Sequence, residues 1–145
     1  MPVLQSNYNL SSEHSVKNFA KWKKIISKLN KTFEDSRFEG NDKQIRRARE
    51  RGKFLARERI ELILDRDSPF LELMPFSGLN YSKGFGTGGT NVCGIGLVEN
   101  KICVINSNIG TKKGGAVDYP TLKKTQRINQ IILENKLPTV NLVES

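Results

Sequence analysis

The residues best suited to chemistry lie between Gly110 and Arg127, in the stretch GTKKGGAVDYPTLKKTQR. A lysine pair stands before a glycine pair, and a second lysine pair follows a proline. Glycines let backbone N–H groups approach a ligand closely, and ammonium groups neutralise phosphates. The stretch predicts an anion-binding site, although a solvated basic loop of the same composition remains the alternative. The candidate residues are Lys112, Lys113, Gly114, Gly115, Lys123 and Lys124.

The elements around this stretch would place it at the end of a strand. The apolar runs NVCGIGLV and KICVINS, joined by Glu99-Asn100, predict a β-hairpin immediately before it. Pro120 suits the first turn of a helix, and KLPTVNLV then reads as a buried strand. Strand, crossover helix and strand form a βαβ unit with parallel strands, and α/β sheets bind ligands at this position. The predicted apolar face of the helix comprises Leu122, Thr125, Ile128, Ile131 and Ile132.

The first half of the chain predicts helices. Phe19, Trp22, Ile26, Leu29 and Phe33 recur at helical spacing, which indicates a helix over residues 13–35 that packs this stripe on a partner surface. A basic helix follows to about Arg51, and ARERIELIL continues as a helix until Ser68-Pro69 extends the chain. FLELM reads as a short strand. We therefore expect a helical arm over residues 1–67 and an α/β domain over residues 68–145.

The positive charge is concentrated in two places. Eight basic and two acidic residues lie between Lys43 and Arg59, and five basic and one acidic residue between Thr111 and Arg127. Such clusters suit polyanions, either nucleic acid or a phosphate-bearing cofactor such as coenzyme A. The first cluster has no interleaved aromatic residues to stack on bases, so a solvated helix face is its simplest interpretation.

Several classes of site are excluded or disfavoured. The spacing of Cys93, Cys103 and His14 does not form a zinc motif, and the hairpin register keeps the two cysteines apart. The glycines of GFGTGG have a loop before them and a strand after them, which is the reverse of a dinucleotide fingerprint. The N-terminus resembles no secretory signal, and no apolar run reaches the length of a membrane span. We expect a soluble intracellular protein without a metal.

Two stretches resemble a known family. GKFLARERIELILDRDSPFLEL, residues 52–73, is similar to the opening of carboxyltransferase (β) subunits of biotin-dependent acyl-CoA carboxylases, with its GK, R-E-R-I and D-x-x-S followed by E-L. Residues 107–145 resemble a later segment of that family, with N-x-x-T-x-K-G-G, K-K-x-x-R, N-x-L-P and L-V-x-S. The pattern is most similar to the methylcrotonyl-CoA branch. The chain departs from the family pattern at Ile109, Lys112 and Pro120.

The resemblance implies a fold and a reaction. It implies a partial crotonase-like α/β fold of ββα units, preceded by a helical arm, and a ligase component that transfers carboxylate from carboxybiotin to an acyl-CoA, for example 3-methylcrotonyl-CoA. The enolate formed next to the thioester would be held by backbone N–H donors. The candidate donors are Gly114, Gly115 and Ala116, and the candidate contacts to coenzyme A phosphates are Lys112, Lys113, Lys123, Lys124 and Arg127.

The resemblance also implies partners. Biotin would be carried on a partner subunit or domain, and the site would be built across two carboxyltransferase subunits of a homo-oligomer, in the bacterial cytoplasm or the mitochondrial matrix. In the family, a second glycine pair follows the L-V-x-S strand and supplies the other oxyanion donor. Residues 1–145 end with that strand, so we expect them to be an inactive fragment. The alternatives are a truncated, non-catalytic protein that pairs with full-length carboxylase subunits, and a basic nucleic-acid-binding module.

Overall fold

The computed structural model describes residues 8–81 and 85–144, which contain four α-helices and four β-strands. The order of elements agrees with the expectation from the sequence. The helices are α1 (Glu13–Ser36), α2 (Asp42–Glu50), α3 (Ala56–Ile63) and α4 (Tyr119–Asn135). The strands are β1 (Leu71–Glu72), β2 (Asn91–Val98), β3 (Lys101–Asn108) and β4 (Thr139–Leu142), and a 3₁₀ turn spans Lys113–Gly115.

The chain divides into two compact units, the first ending at Glu34 and the second beginning at Asp35. The sequence led us to expect the division after residue 67, whereas α2 and α3 belong to the unit that holds the sheet. Most of the described residues of the first unit belong to α1. Its stripe residues Phe19, Trp22 and Leu29 are more than half exposed, so the surface on which this stripe packs remains a prediction.

The sheet has the strand order β1-β2-β3-β4. The pairs β1–β2 and β2–β3 are antiparallel, and β3–β4 is parallel, as the predicted hairpin and βαβ unit require. Glu99 and Asn100 form the hairpin turn with positive φ, and the Asp65 carboxylate accepts both of their N–H groups at 2.7 Å. Asp65, which follows α3 in the chain, thus holds the hairpin turn in place.

The two faces of the sheet bury separate apolar clusters, because successive strand residues point to opposite sides. On one face α3 contributes Ala56 and Ile60, which cluster with Val92 and Ile105. On the other face Ile128 of α4 clusters with Cys93 and Val104. Leu122, which we predicted on the apolar face of α4, is 44% exposed and belongs to neither cluster. The sheet therefore lies between α3 and α4.

The ends of α4 follow standard capping chemistry. Asp118 is the N-cap, and its carboxylate accepts the N–H of Thr121 at 3.1 Å. Pro120 occupies the first turn, where a missing N–H costs no helical hydrogen bond. Lys136 ends the helix in the left-handed region, and Thr139 then begins β4. These caps fix where the crossover leaves β3 and where it returns.

Neither cysteine is bonded to the other. Cys93 is paired with Asn106 across the hairpin and Cys103 with Gly96, and both thiols are buried and free. Over residues 8–81 and 85–144, no group of His, Cys, Asp and Glu side chains is placed to hold a metal ion. In the same residues, no helix is long and apolar enough to cross a membrane. Gly84, part of the rejected dinucleotide pattern, lies outside the described residues.

A buried ion network joins the segment before α2 to α3 and to the sheet. Arg57 pairs with Glu39 at 3.0 Å and with Glu72 at 2.7 Å, and it donates a hydrogen bond to the Arg37 carbonyl at 3.1 Å. Glu39 also accepts the N–H groups of Ala56 and Arg57 at the start of α3, at 2.7 and 3.1 Å. Since Leu55 offers no capping side chain, Glu39 satisfies the helix N-terminus instead.

We expect Glu39→Ala to lower the free energy of unfolding by about 2–4 kcal/mol, because it removes one of the two carboxylates that pair with Arg57 and leaves two helix N–H groups without an acceptor. Urea denaturation followed by circular dichroism measures the change. Glu50→Ala, at an exposed position of α2, is the matched control and should change it by less than about 0.5 kcal/mol. Equal losses in both variants would contradict the structural role of the network.

Candidate functional site

The predicted anion-binding stretch begins with a tight turn, residues 110–116, which we call the glycine turn. It follows the end of β3, and Lys113, Gly114 and Gly115 all have positive φ. Gly115 lies so close to Asn108 that an added Cβ would stand 2.5 Å from the Asn108 Nδ2 atom. Thr111 donates its hydroxyl to the Glu39 carbonyl, which ties the turn to the ion network. A glycine at position 115 is therefore required on two grounds, backbone conformation and space.

The three candidate oxyanion donors differ in availability. The Gly115 N–H donates to the Lys112 carbonyl at 2.8 Å, and the Ala116 N–H donates to the Lys113 carbonyl at 3.2 Å. The Gly114 N–H makes no hydrogen bond with the described residues, and an added Cβ there would meet nothing within 4 Å. In this conformation Gly114 is the candidate whose N–H is available to a ligand, and the roles of all three remain predictions.

Lys112 and Lys113 point to different environments. Lys112 is partly buried, its Nζ is 3.5 Å from the Thr87 carbonyl, and burial lowers its pKa from the ordinary value. Lys113 is exposed, pairs with Asp118 at 3.2 Å, and lies 4.7 Å from the centre of the Phe85 ring. Burial acts to raise the pKa of Asp118, but hydrogen bonds from Thr121 and Lys113 lower it overall. Asp118 is therefore an anion that holds Lys113 beside the helix cap.

Lys123 and Arg127 are exposed on α4. The Lys123 ammonium lies 5.5 Å from the centre of the Tyr119 ring, and Arg127 donates a hydrogen bond to the Gln130 side chain at 2.7 Å. Neither contact neutralises the positive charge. Both residues remain accessible to an anionic ligand, and their predicted contact with phosphate stays a prediction.

The placement of Lys124 corrects the sequence-based interpretation. Lys124 is 1% exposed, and its ammonium donates to the carbonyls of Gly88 at 3.1 Å and Asn91 at 2.8 Å. Burial lowers its pKa to about 8, while the nearby Glu72 acts to raise it. Adjacent helix residues are separated by about 100°, so Lys123 faces solvent and Lys124 faces the sheet. Lys124 joins α4 to the loop before β2 and is not placed to contact a phosphate.

The two basic clusters meet in a cleft of about 350 Å³ between α2 and the glycine turn. Arg47, Arg51 and Lys53 line it from the α2 side, and Lys113 and Gly114 line it from the turn. We call this the basic cleft. Its carboxylate is Glu144, which pairs with Lys53 at 2.8 Å. From the sequence we interpreted the α2 arginines as a solvated helix face. The charge excess between Lys43 and Arg59 was the sequence feature that could have indicated that they line a cleft.

The comparison with known families decides the classification. The model of the carboxyl transferase domain matches residues 47–145, which include α3, the whole sheet and the glycine turn. The chain belongs to the carboxyl transferase domain family. The resemblance that we drew from the R-E-R-I and K-G-G stretches is thereby confirmed.

Relatives in this family share the matched region. A protein of Mycobacterium tuberculosis, described as a probable biotin-dependent acyl-coenzyme A carboxylase beta2 subunit, is 47% identical over 106 residues, covering 73% of this chain and 20% of that protein. The probable methylcrotonoyl-CoA carboxylase beta chain of Drosophila melanogaster, described as mitochondrial, is 37% identical over 144 residues, covering 99% of this chain and 25% of that protein. The chain thus spans a quarter or less of the length of these relatives.

Solved structures in the family confirm the partial crotonase-like α/β fold. The β subunit of Pseudomonas aeruginosa geranyl-CoA carboxylase superposes with a TM-score of 0.69 at 31% identity, covering 99% of this chain and 27% of that subunit. Transcarboxylase 12S, described as a hexamer assembly, superposes with a TM-score of 0.74 at 20% identity, covering 85% of this chain and 25% of that one.

We expect the buried Lys124 to make stability depend on pH in the alkaline range. Its folded pKa of about 8 lies below the ordinary lysine value of 10.5, so between these values the unfolded chain binds more protons and the free energy of unfolding rises with pH. Denaturant titrations from pH 7 to 10.5 should show the wild type gaining roughly 2–4 kcal/mol relative to Lys124→Met. Lys123→Met is the control, and an equal gain relative to it would contradict the assignment to Lys124.

Proposed function

We propose that this chain is the N-terminal part of a carboxyltransferase subunit that moves carboxylate from carboxybiotin to an acyl-CoA. The observation that supports the proposal is the glycine turn at the carboxyl end of β3, where the Gly114 N–H has no hydrogen-bond partner among the described residues and lies beside the basic cleft. Membership of the carboxyl transferase domain family supports the same chemistry. The identity to methylcrotonoyl-CoA carboxylase beta chains makes 3-methylcrotonyl-CoA the first substrate to test.

The turn suits the electrostatics of this reaction. Removing a proton from the carbon next to the thioester, or in 3-methylcrotonyl-CoA from a methyl group conjugated to the thioester through the double bond, places negative charge on the thioester oxygen. A fixed N–H donor stabilises that charge more than it stabilises the neutral carbonyl. The carbon that lost the proton would then bond to the carboxyl carbon as the N–C bond of carboxybiotin breaks, and the biotin nitrogen would take up the removed proton. Gly114 is the residue that we assign to the oxyanion in the described part of the chain, with Gly115 and Ala116 holding its conformation through their hydrogen bonds.

A single N–H donor leaves the oxyanion half satisfied, because such holes use at least two donors. We therefore propose that residues 1–145 alone do not transfer carboxylate, and that a further donor comes from elsewhere in the enzyme. We also propose a carboxyltransferase homo-oligomer with biotin on a partner subunit or domain, in the bacterial cytoplasm or the mitochondrial matrix.

The direct test is carboxylation of 3-methylcrotonyl-CoA by the full-length protein with its biotin-carrying partner, followed by incorporation of labelled bicarbonate. We expect acyl-CoA-dependent incorporation with the complete enzyme and none with residues 1–145. Propionyl-CoA and geranyl-CoA serve as alternative substrates. Incorporation by the isolated chain, or none by the complete enzyme with any of the three, would overturn the proposal.

The basic cleft provides a candidate contact for the phosphates of coenzyme A. Its volume of about 350 Å³ accommodates only part of the cofactor, and its cations are Arg47, Arg51, Lys53 and Lys113. Charge-assisted hydrogen bonds from arginine to phosphate are short and strong, and the planar guanidinium makes two at once. We propose that the cleft holds the phosphate-bearing end of the acyl-CoA.

In the complete enzyme, we expect Arg51→Gln to raise the KM for acyl-CoA roughly tenfold, because one charge-assisted contact contributes about 1.5–3 kcal/mol. The KM for the matching acyl-pantetheine, which has no phosphate, should stay within about twofold of the wild type. Arg46→Gln on the same helix lies outside the cleft lining and is the control. Equal effects on both substrates would show that Arg51 does not contact phosphate.

A nucleic-acid-binding surface would use the same basic residues, but fewer of them are free of carboxylate partners than the sequence suggests. Within the Lys43–Arg59 cluster, Arg49 is paired with Glu58, and Arg57 is paired with Glu39 and Glu72. These pairs remove guanidinium groups from any polyanion surface, which favours a short phosphate ligand over a long one. Binding of DNA or RNA at low salt, not displaced by acyl-CoA, would instead support the alternative.

A further inference from the structure

Arg59 connects the helix layer to the ends of two parallel strands. Its Nη1 donates to the carbonyl of Leu142 at 3.2 Å, and its Nη2 donates to the carbonyl of Asn108. Asn108 is the last residue of β3, and Leu142 is the last residue of β4. One guanidinium therefore bridges the final carbonyls of neighbouring strands at the edge where parallel α/β sheets bind ligands.

The Asn108 side chain continues this connection beyond the strands. Its Nδ2 donates to the Glu144 carbonyl at 2.6 Å, and its Oδ1 accepts the Glu144 N–H at 2.8 Å. The same amide group contacts Gly115, where an added Cβ would come within 2.5 Å of Nδ2. Contacts thus run from Arg59 through Asn108 to the glycine turn. We call Arg59, Asn108 and Glu144 the strand-end clamp.

Arg59 of the strand-end clamp lies on α3, which is held by core packing. Ala56 and Ile60, on the same helix as Arg59, are 1% and 2% exposed and form part of the core cluster. The Arg59 side chain is itself mostly buried, with a Glu144 carboxylate oxygen 3.7 Å from Nη2 as its counter-charge. Because α3 is held by its packing, the position of the guanidinium is determined before any ligand binds.

We propose that Arg59 is a positioning residue for carboxyl transfer, which sets the separation of the β3 and β4 ends and thereby the direction of the Gly114 N–H. The inference rests on the proposed function, since it assigns Arg59 to the same oxyanion site. Among the described residues, the hydrogen bonds and ion pair of Arg59 go to Leu142, Asn108 and Glu144, so it acts on the turn through the Asn108 carbonyl and side chain. Two terminal nitrogens in a fixed plane hold two carbonyls at once, which a lysine ammonium on a flexible stem does not reproduce.

The test compares Arg59→Lys with Arg57→Lys in the full-length enzyme with its biotin partner. Both substitutions keep the charge on α3, but Arg57 pairs with Glu39 and Glu72, whereas Arg59 bonds to the ends of β3 and β4. We expect Arg59→Lys to lower kcat roughly 10–100-fold, as expected for a misplaced oxyanion donor, with KM for acyl-CoA within about threefold. Arg57→Lys disturbs the turn only indirectly, through Glu39 and Thr111, so it should lower the melting temperature more than Arg59→Lys does and kcat less.

Hydrogen exchange supplies a readout that does not depend on turnover. In Arg59→Lys, peptides covering residues 110–116 and 142–144 should exchange faster than in the wild type, with the core strands unchanged. A wild-type kcat in Arg59→Lys, or a raised KM with unchanged kcat, would overturn the proposal. If the wild-type enzyme transfers no carboxylate, the proposed function fails, and unchanged exchange in the variant would then separately refute the positioning of the turn by Arg59.

Discussion

The described part of the second unit depends on one buried charge arrangement, Arg57 between Glu39 and Glu72. Burying an ion in a protein interior is costly unless partners and hydrogen bonds surround it, so the three side chains hold their elements in one geometry. Through Glu39 the arrangement also caps α3, and the Glu39 carbonyl accepts the Thr111 hydroxyl of the glycine turn. The same ion network therefore holds both the start of α3 and the glycine turn of the candidate site.

This constraint explains why the basic residues have such different roles. A stretch such as A-R-E-R-I places Arg57 and Arg59 two positions apart on a helix, about 200° around its axis. One arginine consequently faces Glu39 and Glu72, and the other faces the ends of β3 and β4. Much of the net charge that suggested a polyanion surface is used inside the protein. Within the two clusters, Arg47 and Arg51 of the basic cleft and Lys123 and Arg127 of α4 are among the described cations that face solvent.

The order of elements could be predicted from the sequence because its signals are local. Glu99-Asn100 between two β-branched runs specifies a hairpin, and Asp118 with Pro120 specifies a helix start. The site was less predictable because its geometry depends on distant contacts. Which lysine of the pair Lys123-Lys124 faces the sheet, and whether Arg47 meets Gly114 across a cleft, follow from packing between segments that are far apart in sequence.

The glycine turn shows how conformation restricts the chemistry that composition suggests. Two glycines and an alanine offered three N–H donors, but the turn that brings them together uses two of the three to close itself. The closure is what directs the remaining Gly114 N–H, since a donor that aids catalysis must be fixed before the charge develops. The phosphate binding that we propose at the basic cleft depends on charge, and the oxyanion binding that we propose at the turn depends on geometry. Phosphate binding would tolerate several flexible side chains. Oxyanion binding would require the rigid connection from α3 through Asn108 to Gly115.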